Sequence, residues 1–469
     1  MVFEGIFSYM FFSVYIAVFL LIYIYVKRII SNNGFNVLSV FILTFSIFYL
    51  SVPFVQSYFK SERDNTSFFT IMLNQMSDEE VFFNFLICAI CLLLIIVSYN
   101  LRFKSKGNRN RIHLEQTTDV LVQKKMYKKI NRITDVVFLV SVTSIILLIV
   151  EVGSLKTYLA LGSLTRGLDK APTDYIRPSY LQLVTFSTVV LVTPYLYVYL
   201  YRIQKSKILI FKVIVSLIFS ILFLLYNQGR APLILFFLPF FFTFRRKKKK
   251  GFLGLTLLFG IGVFLLSYLD RLFQYLAYGS FTVETNTKFI TQFLAEFSYS
   301  FANFSLREEL VNYSGYRYMY DYFIWPFTMI PSSLLKIIGF SKESLIAVST
   351  INTEAYGVFL GIKPSGGIPV DLLTFNYYQF GYITLIPICL ILGRVLKKMD
   401  KIFYYFKDDF AIKIVLYRIS FSMINILNNA DISAIVRNRL DVVILFIIII
   451  YIYKQDRNVK NRMGCSSDK

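Results

Sequence analysis

Apolar runs of membrane-spanning length recur along this chain and leave few architectures open to it. They fall at about 5–26, 36–58, 81–101, 135–152, 180–200, 208–226, 231–244 and 252–269, then at 374–395, 410–428 and 433–453. A hydrocarbon core about 30 Å thick is crossed by roughly 20 helical residues, and a helix satisfies its backbone polar groups internally. Composition agrees, since 56% of the 469 residues are hydrophobic and 18% aromatic, more apolar surface than a soluble core uses. The expected fold is an all-α polytopic membrane protein with about 11 transmembrane helices and one large extracytoplasmic loop. Its parts are an N-terminal bundle over 1–269, the loop over 270–373, C-terminal helices over 374–453 and a cytoplasmic tail over 454–469.

A net charge of +22 would suggest nucleic acid if a soluble domain carried it, but no stretch is long enough to be one. The charge instead sorts by loop. With the N terminus outside, the cytoplasmic segments hold 32 Lys and Arg and the outer ones 16, while Lys212 and Arg418 fall within spans. That is the positive-inside bias, with a cytoplasmic C terminus. The first apolar segment lacks a basic lead and a cleavage site, so it is expected to stay as a span. In the basic loop 102–134, Val122, Met126, Ile130 and Ile133 form a stripe that suits either an interfacial helix or a solvated loop.

The chemistry-bearing residues are few. His113 is the single histidine and lies in the basic loop, so no imidazole can serve as a base from the outer face. No histidine metal site is expected either. Cys88 and Cys91 are spaced C-x-x-C inside an apolar run and read as packing thiols. The arginines are more informative: the outer side carries nine Arg and seven Lys, and a guanidinium holds phosphate oxygens with a planar fork. Gly229-Arg230 opens an apolar run of fourteen residues that ends at six cations, Arg245 to Lys250. As a helix that run rises roughly 21 Å, too little for the bilayer core. Arg230 is therefore expected in a recess below the outer surface. Arg437 and Arg439 stand at the outer start of the last span. Each could bind an anionic ligand, or pair with Asp431, Asp441 or Glu151 to close the bundle. Outer carboxylates such as Asp174, Asp270, Glu284, Glu296, Asp321 and Asp371 could supply a general base, and none is singled out. Gly366-Gly367 could offer backbone amides to phosphate or sugar, or form a plain turn.

At these residues the chain resembles the O-antigen polymerase family. The likeness lies in the Gly229-Arg230 turn, in Gly366-Gly367 followed by Phe380-Gly381-Tyr382 and Gly393, in the arginine-bearing last span, and in the large loop before the final spans. The resemblance implies a metal-independent, cofactor-free glycosyltransferase on the outer face of the cytoplasmic (inner) membrane. It would join undecaprenyl-diphosphate-linked oligosaccharide repeat units into an O-antigen, capsule or exopolysaccharide. Arg230, Arg437 and Arg439 would then stabilise the diphosphate, with Arg166, Arg177, Gly229, Gly366, Gly367 and Asp371 lining the substrate site. A chain-length regulator and a flippase would be pathway partners. The clean pair of repeated arginine motifs seen in some family members is missing here. O-antigen ligases resemble this layout but rely on an outer histidine, which this chain lacks. A flippase for the same lipid-linked sugars is the non-enzymatic alternative; the absence of internal symmetry argues against it.

Overall fold

The computed structural model describes residues 2–59, 68–101, 120–164, 175–177, 180–227, 230–244, 289–328, 332–337, 345–361, 367–406 and 409–464, with isolated positions 275, 330 and 339. All regular structure among them is helical. The helices are α1 (Val2–Asn33), α2 (Val37–Tyr58), α3 (Phe68–Gln75), α4 (Asp78–Asn100), α5 (Val120–Glu151), α6 (Leu155–Leu164), α7 (Leu181–Ile203), α8 (Lys207–Asn227) and α9 (Arg230–Phe244). There follow α10 (Phe289–Ser305), α11 (Arg307–Ser314), α12 (Tyr320–Thr328), α13 (Ser332–Ile337), α14 (Val348–Leu360), α15 (Leu372–Phe380), α16 (Tyr382–Tyr405), α17 (Phe410–Asn428), α18 (Ile432–Asn438) and α19 (Leu440–Gly464). Seven described helices are long and apolar enough to cross a membrane. The short apolar run after Arg230 is indeed one short helix, α9. The run at 252–269, the cations 245–250 and His113 lie outside the described residues.

Three expected elements differ. The stripe at 122–133 is continuous with the following span in α5, because nothing between them breaks a helix. The run 374–395 is cut by Gly381, whose φ of 62° and ψ of −141° end α15 and start α16. A Cβ there would lie 3.1 Å from Tyr316 Oη, so glycine meets both demands. The last span is cut at Arg439, which closes α18 by donating its N–H to the Ile435 carbonyl at 2.8 Å.

Acidic and polar side chains set the helix ends. Ser77 and Glu80 form a reciprocal cap on α4, whose first turn is Asp78-Glu79-Glu80. Asp371, Asp409 and Asp431 cap α15, α17 and α18. Asp400 reaches across from α16 to accept the Val37 and Leu38 N–H groups at 2.7 and 3.3 Å, meeting donors that no helical carbonyl can take.

Prolines open some of the cross-helix contacts. A proline has no N–H for the carbonyl four residues earlier, and within a bundle a neighbouring side chain must take that carbonyl. Pro194 releases Val190, whose oxygen accepts from Ser220 on α8 at 3.1 Å. Pro53 releases Tyr49, and α2 widens into a π turn over Ser46–Ser51. The closest packing joins α4 to α16: a Cβ on Gly393 would stand 2.4 Å from the Ile95 carbonyl oxygen, and Ser98 Oγ bonds the Leu390 carbonyl at 2.5 Å.

Candidate functional site

Pro239 places the centre of the site. It leaves the Leu235 carbonyl of α9 without its helical donor, and Arg418 Nη1 of α17 approaches that oxygen at 3.3 Å. Tyr195 of α7 donates its hydroxyl to the next carbonyl, that of Phe236. Arg418 Nη2 pairs with Asp441 Oδ2 of α19 at 2.7 Å, and both side chains are almost wholly buried. Arg418 Nε and Asp441 Oδ1 have no partner among the described residues. Four helices, α7, α9, α17 and α19, thus converge on one buried ion pair.

Arg439, one residue before α19, is half-buried and within electrostatic reach of Asp441 and Arg418. Arg437 is exposed on α18 and reaches the Thr328 carbonyl of α12 at 3.4 Å. Among the described residues, the carboxylates that the sequence offers these two arginines have other partners. Asp431 accepts from the backbone N–H and hydroxyl of Ser433, the Ala434 N–H and the Ser349 hydroxyl. Glu151 holds Arg177 through both carboxylate oxygens, with Arg177 Nε at 2.6 Å, which keeps that guanidinium firmly protonated. Among the described residues neither Arg437 nor Arg439 has an ion pair of its own. Arg418 and Arg439 both lie about Asp441, with Arg437 two residues before Arg439 in the chain, and that excess of positive charge favours an anion.

The expected site residues divide accordingly. Arg439 is adjacent to the buried pair, Arg437 lies two residues before it on α18, and Arg230 opens the helix whose Leu235 carbonyl meets Arg418. Arg177 lies just ahead of α7, which packs on α18 and α19, and its guanidinium stacks over the Tyr180 ring at 4.8 Å. Arg166, Gly229 and Gly366 lie outside the described residues. Gly367 is exposed and a Cβ there would meet nothing.

Asp371, expected to line the substrate site, is fully buried, and its oxygens accept from Tyr49 Oη at 2.7 Å, Asn303 Nδ2 at 2.7 Å and the Leu373 and Thr374 N–H groups at 3.0 and 3.2 Å. Around it Asn303 Oδ1 accepts from Tyr356 Oη at 2.9 Å, and Asn352 binds the Pro369 carbonyl at 3.0 Å and the Tyr378 hydroxyl at 3.1 Å. This network fastens α10, α14 and α15 to α2, so Asp371 is a structural anchor.

Sequence reasoning missed Arg418, seen only as a charge inside a span, and Arg307. Arg307 of α11 is buried, donates to Asn84 Oδ1 at 2.7 Å and to Tyr382 Oη, and lies over the rings of Phe304, Tyr377 and Tyr382. Pro239 four residues after Leu235 was the available signal for the first. Nothing local in the sequence marks the second.

No protein-family model matches the chain, and no curated protein or solved structure matches it.

Proposed function

We propose that this chain is a membrane glycosyltransferase that polymerises undecaprenyl-diphosphate-linked oligosaccharide repeat units into a surface polysaccharide. The observation that carries this reading is the pair Arg437 and Arg439, which have no ion pair of their own among the described residues while Asp431, Asp441 and Glu151 are engaged by others. In the reaction a hydroxyl of the incoming unit bonds to the anomeric carbon of the growing glycan. The bond from that carbon to the carrier diphosphate breaks, and the hydroxyl proton passes to a base. Charge builds on the departing diphosphate, which is where preorganised guanidiniums stabilise a transition state. Arg437 and Arg439 take that role, with Arg230 at the head of α9. The topology that suits it has about 11 spans in the cytoplasmic membrane and the site on the outer face, where a flippase delivers units and a chain-length regulator meets the product.

A flippase for the same lipid-linked sugars is the rival. It needs charge lining a central cavity, whereas the two cations within spans are paired, Arg418 with Asp441 and Lys212 with Asp135. Cells carrying Arg437→Ala, Arg439→Ala or Arg230→Ala are expected to display single repeat units and no long polymer. Normal chain lengths at normal protein levels would sink the arginine assignment, and loss of every surface unit on deleting the gene would favour the flippase.

A further inference from the structure

A second surface begins at Arg307 and runs to Arg437, built of rings that are exposed except for the buried Tyr377, with a polar group at each end. At its start Tyr382 Oη accepts from Arg307 Nε at 3.1 Å and donates to Glu308 Oε1 at 3.0 Å. The Glu308 side chain is 59% exposed. From Tyr382 the rings continue in contact, to Tyr377 at 5.0 Å between centroids, Tyr316 at 6.4 Å, Tyr318 at 6.3 Å and Phe380 at 5.3 Å.

The backbone holds Tyr318 outward. Tyr318 and Met319 have φ of 48° and 65°, a region side-chain-bearing residues rarely occupy. The turn is held there by the Arg317 and Tyr318 N–H groups on the Tyr378 and Gln379 carbonyls, at 2.7 and 3.0 Å. Arg317 grips Asp321 at 2.9 and 3.0 Å, and Gln379 donates to the same carboxylate at 3.1 Å. Backbone held in sparsely populated φ/ψ regions clusters at ligand sites, and the exposed Tyr318 ring is what this turn presents.

The helix α12 then carries the surface onward. Tyr320, Phe323 and Phe327, spaced by three and four, share its exposed face, while Asp321, Ile324 and Thr328 are buried. Its nine residues rise about 13 Å and end at Thr328, whose carbonyl Arg437 reaches. The start of this track lies near a charged helix end, since Asn84, the partner of Arg307, is six residues into α4 from Asp78-Glu79-Glu80. Such a triplet belongs in water and not in hydrocarbon.

We propose that this aromatic track, from Glu308 through Tyr318 and Phe323 to Arg437, binds an oligosaccharide, with rings against sugar faces and Glu308 accepting from sugar hydroxyls. Flat amphipathic rings suit sugar, which has apolar faces and polar edges, and the Arg437 end places the bound glycan beside the proposed diphosphate site. The inference rests on the proposed function for the identity of the sugar.

The test is saturation-transfer NMR on the full chain in lipid nanodiscs. The probe is the set of short oligosaccharides released by mild acid from the surface polymer of the cell that makes the protein. Transfer to sugar protons is expected for the wild type, with a roughly ten-fold weaker Kd for Tyr318→Ala combined with Phe323→Ala and a smaller loss for Glu308→Gln. Phe211→Ala, which removes an exposed ring on α8, is expected to change nothing. Absence of transfer in the wild type, or equal binding by the double variant, overturns the track. As an independent check, Phe323→Cys is expected to react with a membrane-impermeant maleimide. Protection from it, with quenching by brominated lipid, makes the face a membrane anchor and overturns the proposal. Sugar binding in a protein that makes no polymer would sink the transferase reading alone. Polymerisation with unaltered binding by the double variant would sink the track alone.

Discussion

At the scale of residues, the interaction with most at stake is the Arg418–Asp441 pair, because neither side chain has water to fall back on. Removing one member strands the other charge, which costs about 3–5 kcal/mol, whereas replacing both by apolar groups is often neutral. Asp441→Ala is therefore expected to lower the thermal midpoint of the detergent-solubilised protein sharply, and Arg418→Met with Asp441→Leu to restore most of it. Recovery of stability together with polymer formation would make the pair purely structural; recovery of stability without it would place the pair in the mechanism. This pair was only half legible in the sequence. Asp441 is a candidate partner for Arg437 and Arg439 in the sequence, but its hydrogen-bonded partner is Arg418 of α17, a residue 23 positions away that no local pattern links to it. Asp371 is ambiguous in the sequence for a related reason. In sequence an Asp before an apolar helix is both a candidate base and a candidate cap, and only the arrival of Tyr49 and Asn303 from distant helices decides between them.

Elements were more legible than sites, since hydropathy reports directly on what a bilayer demands of a helix. The expected runs at 36–58, 180–200, 208–226 and 410–428 correspond to α2, α7, α8 and α17 within a few residues. Hydropathy is silent on interruptions that leave composition unchanged, and for that reason the breaks at Gly381 and Arg439 fell inside runs that read as continuous. Small residues, by contrast, mark where helices approach, because contact between helices in a membrane depends on close packing. Gly393 is the clearest case, its missing side chain replaced by the Ile95 carbonyl and Ser98. Gly393→Val is expected to push α4 from α16 and cost at least the roughly 1–3 kcal/mol of an overpacked core. It should also loosen Asp400 from the start of α2, since α16 carries that carboxylate. A cross-link placed between α4 and α16 would report the separation through loss of its yield. An unchanged yield and melting point would show that the helices pack otherwise.

For the whole molecule the question is whether the segment from α10 to α15 moves with the bundle or as a unit of its own. Its attachment combines apolar packing, as of Phe297 against Phe48 of α2 at 5.4 Å between centroids, with a polar network: Asp371, Asn303, Asn352 and Tyr378 bond one another and Tyr49, and Ala430 donates its N–H to the Val370 carbonyl at 2.7 Å. Polar networks of this kind depend on every member being satisfied. Asn303→Leu removes a donor from Asp371 and an acceptor from Tyr356, and a buried group left unpaired costs roughly 1–3 kcal/mol. Because that loss falls on one attachment, the segment is expected to open while the spans stay folded, as sub-global openings do. Hydrogen exchange read by mass spectrometry should then rise across 300–361 and stay unchanged across α7, α8 and α17. If the variant also polymerises poorly with Arg437 and Arg439 intact, the segment contributes to the reaction by holding α12 against α18. Exchange rising uniformly along the chain would instead mean that loop and bundle fold as one cooperative unit, and that the network stabilises the whole of it.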